Sequence, residues 1–314
     1  MSQPRRTPRR RVWTALTLPA LLSVLAACSG GGPADDASGP APSASPTPSG
    51  PPGTLFDTFR YTGADDPSLA AHGWEVRTDG GGPGIKDTWA TTGASFPTDP
   101  AAQGGTVLHL RSSTDGTPQG TSQVEVQGTG KNLFTGTYAA RVHFGDKPAS
   151  GRNGDHVVQT FFPISPSDAS DAYSELDFEY LPNGGWGSAG PRLDNVSWYR
   201  ADPPDRVSHT TRQRLGGWHV LMITAMNGKV TYSLDGKELF TSSGKYVPRE
   251  KMDIHFSNWF IDLPFTGSGP RTWDMKVDWV YHKADEAVSP ADVQKTVDGF
   301  HGAGTDYVNT VPKA

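Results

Sequence analysis

The sequence predicts an all-β fold, a jelly roll or other β-sandwich, between about residue 54 and residue 283. Short runs rich in β-branched and aromatic residues recur through this stretch, and clusters of Gly, Pro, Asn and Asp separate them. No amphipathic segment before residue 284 is long enough to be a core helix. The predicted strands cover residues 107–111, 122–127, 136–144, 156–162, 175–180, 196–199, 220–226, 229–234, 237–240, 253–259 and 275–281.

Two dipeptides fix the pairing of three of these strands. Asn227-Gly228 and Asp235-Gly236 each supply the positive φ that a tight hairpin needs. We therefore expect residues 220–240 to form a three-stranded meander.

A C-terminal tail, 284–314, follows the predicted domain. It contains Ser289 followed by Pro290, which is typical of a helix start because serine caps the first turn and proline fits the first helical position. We expect a short surface helix that runs to about residue 297, and final residues that fray.

Residues 1–27 have the pattern of an export signal, in which arginines precede an apolar stretch. The stretch ends in Leu25-Ala26-Ala27-Cys28, which resembles a bacterial lipobox, where the cysteine is lipidated and becomes the mature N-terminus. A plain signal peptide cut near Ala27 and a membrane span are the alternatives.

Residues 28–53 are mostly Gly, Pro, Ala and Ser and cannot bury a core, so we expect an extended tether. The domain at 54–283 is then exported and lipid-anchored to the outer face of the bacterial cell membrane. Cys28 is the only cysteine, which excludes an intrachain disulfide.

The charge balance argues against a nucleic-acid partner. The chain has 28 basic and 33 acidic residues, and the leader holds five arginines and no acidic residue, which leaves a net charge of −10. We therefore expect a neutral substrate, a monomer, and contact with the membrane through the N-terminal lipid only.

The most informative segment reads Tyr-Ser-Glu-Leu-Asp-Phe-Glu-Tyr at residues 173–180. Alternation along a strand puts Glu175, Asp177 and Glu179 on one face and the apolar residues on the other. Neighbouring carboxylates in this row lie about 7 Å apart and repel by about 2 kcal/mol near a surface. Such a row does not stabilise a sheet, which favours a functional role.

Chemistry on a sugar fits this row. Glycoside hydrolysis with retention needs a carboxylate nucleophile and a carboxylic acid about 5 Å apart. Backbones at i and i+4 are about 13 Å apart along a strand, so the outer two side chains must lean together, which a concave sheet permits. Asp177 lies between them, and crowding of like charges raises the pKa of the acid that must stay protonated.

The spacing Glu175-Leu176-Asp177-Phe178-Glu179 resembles the E-x-D-x-E motif of family-16 glycoside hydrolases, the group of laminarinases, lichenases and xyloglucan transglycosylases. In that family the first Glu is the nucleophile, the last is the general acid/base, and the Asp assists. The resemblance assigns these roles to Glu175, Glu179 and Asp177, and it implies a concanavalin A-like jelly roll whose concave sheet forms the sugar cleft.

Other stretches extend the resemblance along the domain. Residues 136–141 resemble the family's G-x-Y-E-x-R strand, with alanine in place of glutamate, and residues 277–281 resemble its closing Y-D-W-V-R-V-Y strand. Gly217-Trp218-His219 with residues 232–237 resembles the stretch W-H-x-Y…W-Y-V-D-G-K.

The resemblance also implies substrate-binding residues. Tyr173 lies on the carboxylate face by alternation, where the family has an aromatic residue that stacks on the sugar being cleaved. The other implied cleft residues are Phe162, Trp198 and Trp259 as aromatic faces and Glu125 and Gln127 as hydroxyl partners. Core packing is the open alternative for each aromatic side chain.

No cofactor is required, but the family often carries a structural calcium on its convex side. The resemblance places that site at Asp278 with Thr58 and Gly105, since oxygen ligands suit calcium. An aspartate hydrogen-bonded to nearby backbone is the alternative. The nine histidines show no metal-ligand spacing, and we interpret His156 and His255 as structural or exposed rather than catalytic.

The sequence therefore predicts a retaining, endo-acting glycosidase that acts on a β-linked polysaccharide, most consistent with a β-1,3- or mixed-linkage β-glucan. A transglycosylase on the same scaffold stays open, because only the acceptor differs. A non-catalytic carbohydrate-binding lipoprotein and a calcium site built from the carboxylate row are the remaining alternatives.

Overall fold

The computed structural model describes residues 50–267 and 269–313. The predicted leader, the lipidation site Cys28 and nearly all of the predicted tether lie outside the described residues. No helix within these ranges is long and apolar enough to cross a membrane.

Within these ranges the chain forms 18 strands and two α-helices. In chain order the elements are β1 Thr54–Asp57, α1 Pro67–Ala71, β2 Trp74–Val76, β3 Ala94–Ser95, β4 Leu108–Thr114, β5 Val124–Gly128, β6 Gly136–Phe144, β7 Val157–Ile164, β8 Glu175–Leu181, β9 Gly184–Gly185, β10 Ser188–Ala189, β11 Arg192–Arg200, β12 Asp205–Thr211, β13 Gly217–Met226, β14 Lys229–Leu234, β15 Lys237–Ser243, β16 Asp253–Phe260, β17 Arg271–Ala284, α2 Pro290–Gly302 and β18 Tyr307–Asn309.

Two antiparallel sheets form a sandwich. The front sheet has seven strands in the order β12-β11-β8-β7-β16-β5-β2. The rear sheet has nine strands, with β15-β14-β13-β6-β17-β1-β18 as its path and β4 and β3 branching from β17. Strands β9 and β10 form a separate hairpin. The predicted all-β sandwich is confirmed.

The main apolar core lies between the two sheets. Leu176, Phe178 and Tyr180 of β8 point into it and are fully buried. Tyr138 of β6 and Ile223 of β13 meet them from the rear sheet. Because side chains alternate along a strand, this burial turns the charged residues of β8 toward the outside of the front sheet.

All eleven predicted strands are present in the described part of the chain. The meander is confirmed as well, since β13 pairs with β14 and β14 with β15. Asn227 and Asp235 have φ values of 54° and 50° at the two turns, as tight hairpins require.

The C-terminal tail is more ordered than its sequence predicts. Helix α2 starts with the Ser289 cap but continues to Gly302, and Val293 and Val297 are buried against the rear sheet rather than at a surface. Strand β18 pairs with β1, so the prediction that the final residues fray is wrong. The apolar face of α2 is the physical reason, because it covers rear-sheet residues such as Trp279 that need burial.

Candidate active site

A cleft of about 970 Å³ opens on the outer face of the front sheet. Alternate residues of four neighbouring strands form its floor, since every second side chain of a strand points the same way. The floor residues are Glu125 and Gln127 of β5, Thr160, Phe162 and Ile164 of β7, Glu175, Asp177 and Glu179 of β8, and Asp253, His255, Ser257 and Trp259 of β16.

The three acidic residues of β8 lie together in this cleft. Strand β8 is paired on one side with β7 and on the other with β11, with Glu179 opposite Thr160 and Asp194. Hydrogen bonding of the backbone on both sides holds the row in a fixed position. The structure thus brings together the three residues to which the sequence assigns the chemistry.

Glu175 is held by its neighbours. The Tyr173 hydroxyl donates a hydrogen bond to Glu175 Oε2. Burial raises the pKa of Glu175, whereas hydrogen bonds from Tyr173 and Asp177 and the nearby His255 lower it. These hydrogen bonds favour the carboxylate form, which is the form that can attack as a nucleophile.

Asp177 is buried between the two glutamates. Burial raises its pKa well above the usual range, and the charges of Glu175 and Glu179 raise it further. Trp198 Nε1 donates to Asp177 Oδ2 at 2.8 Å. The raised pKa favours the protonated form of Asp177, which can donate a hydrogen bond to Glu175.

Glu179 has the properties of an acid at neutral pH. Burial raises its pKa to about 8, with added contributions from the charges of Glu175 and Asp194, while Arg206 and Arg192 lower it. The row therefore combines a carboxylic acid, Glu179, with a second carboxyl group, Glu175, whose two hydrogen bonds favour its ionised form. This pairing can donate a proton at one position and supply a nucleophile at another.

Five of the six predicted substrate-binding residues line the cleft. Phe162, Glu125, Gln127 and Trp259 all line the cleft. Tyr173 also lines it, but only 4% of its surface is exposed and its hydroxyl contacts Glu175.

Trp198 lies on β11 opposite Glu175, and the Arg206 guanidinium lies 4.5 Å from its ring centroid. One face of this ring is therefore occupied by a cation. Its indole nitrogen contacts the acidic row directly, which the sequence pattern does not indicate.

His255, for which the sequence predicts a structural or exposed position rather than a catalytic role, lies in the cleft. Its Nδ1 is 2.8 Å from Glu125 Oε1, so it contacts one of the predicted hydroxyl partners. The strand pattern could have identified it, since His255, Ser257 and Trp259 alternate on one face of β16.

Arg77 also lines the cleft, and the sequence pattern does not reveal it. Its Nη1 is 3.1 Å from Glu125 Oε2, and its guanidinium lies 4.3 Å from the centroid of the Trp89 ring. The short edge strand β2 directly precedes Arg77, and this strand was not predicted. Together Arg77 and His255 hold Glu125 from two sides.

The residues of the implied calcium site do not fit a calcium ion. The carboxylate of Asp278 accepts hydrogen bonds from the backbone N–H groups of Gln103 and Gly104 and forms an ion pair with Arg141. The Gly105 carbonyl accepts the N–H of Asp99. A cation therefore already neutralises Asp278, and the hydrogen-bonded alternative agrees with the structure. Within the described ranges, no group of three or more His, Cys, Asp or Glu residues could hold a metal ion.

Similarity to known proteins is found at the level of structure. Neither a family model nor a curated protein sequence matches the chain. A Bacteroides ovatus glycoside hydrolase family 16 endo-glucanase superposes with a TM-score of 0.56 at 16% identity, over 72% of this chain and 98% of that one. A Bacillus licheniformis β-glucanase superposes with a TM-score of 0.51 at 16% identity, over 74% and 98% of the two chains. A prokaryotic β-1,3-1,4-glucanase (lichenase) derived from a mouse hindgut metagenome gives 0.53 at 16% identity, over 73% and 98%. The chain therefore has the jelly-roll fold of these glucanases.

Proposed function

We propose that this chain is a retaining glycoside hydrolase of family 16 that cleaves a β-linked polysaccharide internally. One observation carries the proposal: an open cleft holds Glu175, Asp177 and Glu179 on one strand. Burial raises the pKa of Asp177 and of Glu179, whereas hydrogen bonds at Glu175 favour its carboxylate form. The E-x-D-x-E spacing and the shared fold support the same family. A cleft of about 970 Å³ has room for several sugar units of a polymer.

The proposed reaction assigns one role to each carboxyl group of the row. In the first step the Glu175 carboxylate attacks the anomeric carbon, the glycosidic bond breaks, and Glu179 gives its proton to the leaving oxygen. In the second step Glu179 takes a proton from water, the water oxygen attacks the anomeric carbon, and the Glu175 ester bond breaks. Asp177 shares its proton with Glu175 and stabilises the charge that returns to it.

The most suitable substrate is a neutral β-glucan with β-1,3 or mixed linkages. The three superposed structures are a β-glucanase, a lichenase and an endo-glucanase. The cleft also offers acidic and aromatic groups rather than a cationic surface. A panel of β-1,3-glucan, mixed-linkage glucan, xyloglucan and galactan, followed by product analysis, identifies the polymer. The same analysis separates hydrolysis from transfer, because transfer yields products longer than the substrate.

Substitution of the two glutamates tests the assignment. Glu175→Gln and Glu179→Gln should each lower kcat by about 10³-fold or more, because each removes a proton-transfer or nucleophilic group. Glu238→Gln, on the exposed β15 of the rear sheet, is the matched control and should retain full activity. Melting temperatures of all variants should stay close to that of the wild type. Wild-type turnover by either cleft variant would refute the assignment, and polysaccharide binding with no turnover by any variant or by the wild type would favour the binding-module alternative.

Retention of configuration is a second test of the mechanism. Proton NMR during early hydrolysis should show the β-anomer of the new reducing end first, since two successive displacements restore the starting configuration. An α-anomer that appears first would indicate single displacement and a different nucleophile.

A further inference from the structure

Trp186 is half exposed, which is unusual for its size. Its relative exposure is 50%, and only one other large apolar residue of the described chain, Phe134 at 36%, is similarly open to solvent. The ring stands at the tip of the β9–β10 hairpin, which directly follows the catalytic strand β8. An exposed indole contributes nothing to the core, so its position needs another explanation.

The backbone holds Trp186 in a demanding conformation. Its φ is +47°, a region that bulky side chains rarely adopt. The hairpin also packs closely against Ile261. A Cβ on Gly185 would lie 2.2 Å from Ile261 Cδ1, so with Ile261 in this position there is room only for glycine. Ile261 in turn packs with Trp259 and Leu181. The hairpin is thus fixed in place, and it presents the ring instead of burying it.

The Trp186 ring lies next to a residue of the cleft. Its centroid lies 6.2 Å from that of Trp259, at an interplanar angle of 57°, and Trp259 lines the cleft. Arg192 lies 5.6 Å from the Trp186 ring and pairs with Asp194, which stands opposite Glu179 on β11. The indoles of Trp259 and Trp186 therefore lie side by side, the first in the cleft and the second at the hairpin tip.

We infer that Trp186 is a platform for a sugar unit of the polysaccharide, at a subsite removed from the bond that is cleaved. This inference rests on the proposed function. A pyranose ring carries an apolar C–H face that stacks on an indole, while its hydroxyls stay in water. The polymer is a neutral one, because besides the acidic row of β8 the cleft is lined by five carboxyl groups and only two fixed cations, Arg77 and Lys131, so a polyanion would be repelled.

The test compares long and short substrates. Trp186→Ala should lower kcat/KM about tenfold on the polysaccharide, through KM, because one aromatic contact is lost. It should leave hydrolysis of a short aryl glycoside unchanged, because this substrate lacks the distant sugar unit that would stack on Trp186. Trp186→Phe should retain most of the polymer activity. Phe134→Ala is the control for removing an exposed aromatic residue elsewhere, and it should alter neither substrate.

Each outcome separates the inference from the function it rests on. Equal loss on both substrates, or a melting temperature lowered by Trp186→Ala, would show that the ring supports the fold and would overturn the inference. Unchanged polymer kinetics would overturn it too, while hydrolysis of the aryl glycoside would leave the proposed function standing. If the wild type hydrolyses neither substrate, both the inference about Trp186 and the proposed function are refuted. A Trp186→Ala variant that changes the oligomeric state would instead mean that the hairpin contacts a second copy.

Discussion

Glu179 and Glu175 lie four residues apart on one strand, and burial raises the pKa of both, but Glu175 also receives hydrogen bonds that favour its carboxylate form. Glu179 is buried beside the charges of Glu175 and Asp194, and its pKa rises to about 8. Glu175 receives hydrogen bonds from Tyr173 and Asp177 that lower its pKa against the effect of burial. The two roles are therefore set by neighbours rather than by residue type.

The raised pKa of Glu179 predicts the basic limb of the activity profile. Glu179 donates only while it is protonated, so kcat/KM should fall as pH rises through about 8. With a dinitrophenyl glycoside, whose leaving group needs no proton, this limb should disappear from the first chemical step. An identical basic limb on both substrates would mean that a group other than Glu179 supplies the proton.

Tyr173 has a testable effect on its neighbour. Its hydroxyl lowers the pKa of Glu175, so Tyr173→Phe should raise that pKa and move the acidic limb of kcat/KM to higher pH. On that limb only the ionised fraction of Glu175 reacts, so kcat/KM at a fixed acidic pH should fall by up to about tenfold, with little change in melting temperature. Stacking on the sugar stays a prediction for this ring. An unmoved acidic limb, with a loss confined to Tyr173→Ala, would favour stacking over the hydrogen bond.

At the level of elements, burial decides what the sequence can predict. Strands β8 and β16 alternate clearly because one face is in the core and the other lines the cleft, and both were predicted. Strand β1 is buried along its whole length, and β12 is an edge strand with little burial, so neither alternates. The cleft position of Arg77 is not predictable either, because the preceding strand β2 has only three residues and is too short to show an alternating pattern.

Other features depend on contacts between distant parts of the chain. The order of β18 comes from its pairing with β1, which lies near the other end of the domain sequence. The Asp278 site differs from the implied calcium site because Arg141, on a neighbouring strand, supplies the positive charge. Local sequence patterns predict neither the strand that pairs with β18 nor the cation that pairs with Asp278.

Strand β17 contains a buried ion pair whose loss should be costly. Arg271 Nε lies 2.9 Å from Asp155 Oδ2, both side chains are fully buried, and Trp273 also donates to this carboxylate. Arg271→Met leaves the Asp155 charge without its guanidinium, so we expect a loss of about 3–5 kcal/mol in the free energy of unfolding.

Arg111→Met is the matched control, because Arg111 pairs with Asp274 at the surface of the adjacent strand β4. Its loss should be below about 1 kcal/mol. Urea unfolding of both variants measures the difference, and equal values would show that burial does not strengthen this pair.

For the whole molecule, we propose that the lipobox-like sequence Leu25-Ala26-Ala27-Cys28 attaches the protein to the outer face of the cell membrane. Export should leave a diacylglyceryl group on Cys28, since it stands where the motif requires the modified cysteine. Cys28→Ala should abolish palmitate labelling and shift the protein from the membrane fraction to the medium. Unchanged membrane retention would indicate an uncleaved leader.

The position of β1 determines on which side the domain is attached when a support is coupled to its N-terminal end. Strand β1 lies in the rear sheet, where the N–H of Thr54 donates to Thr310 Oγ1 at 2.9 Å, whereas the cleft opens on the front sheet. A bead or fusion partner coupled just before residue 54 is therefore attached on the side away from the carboxylate row. A long polymer can approach the opposite face without meeting the support, so immobilisation through this end should leave the cleft open to it.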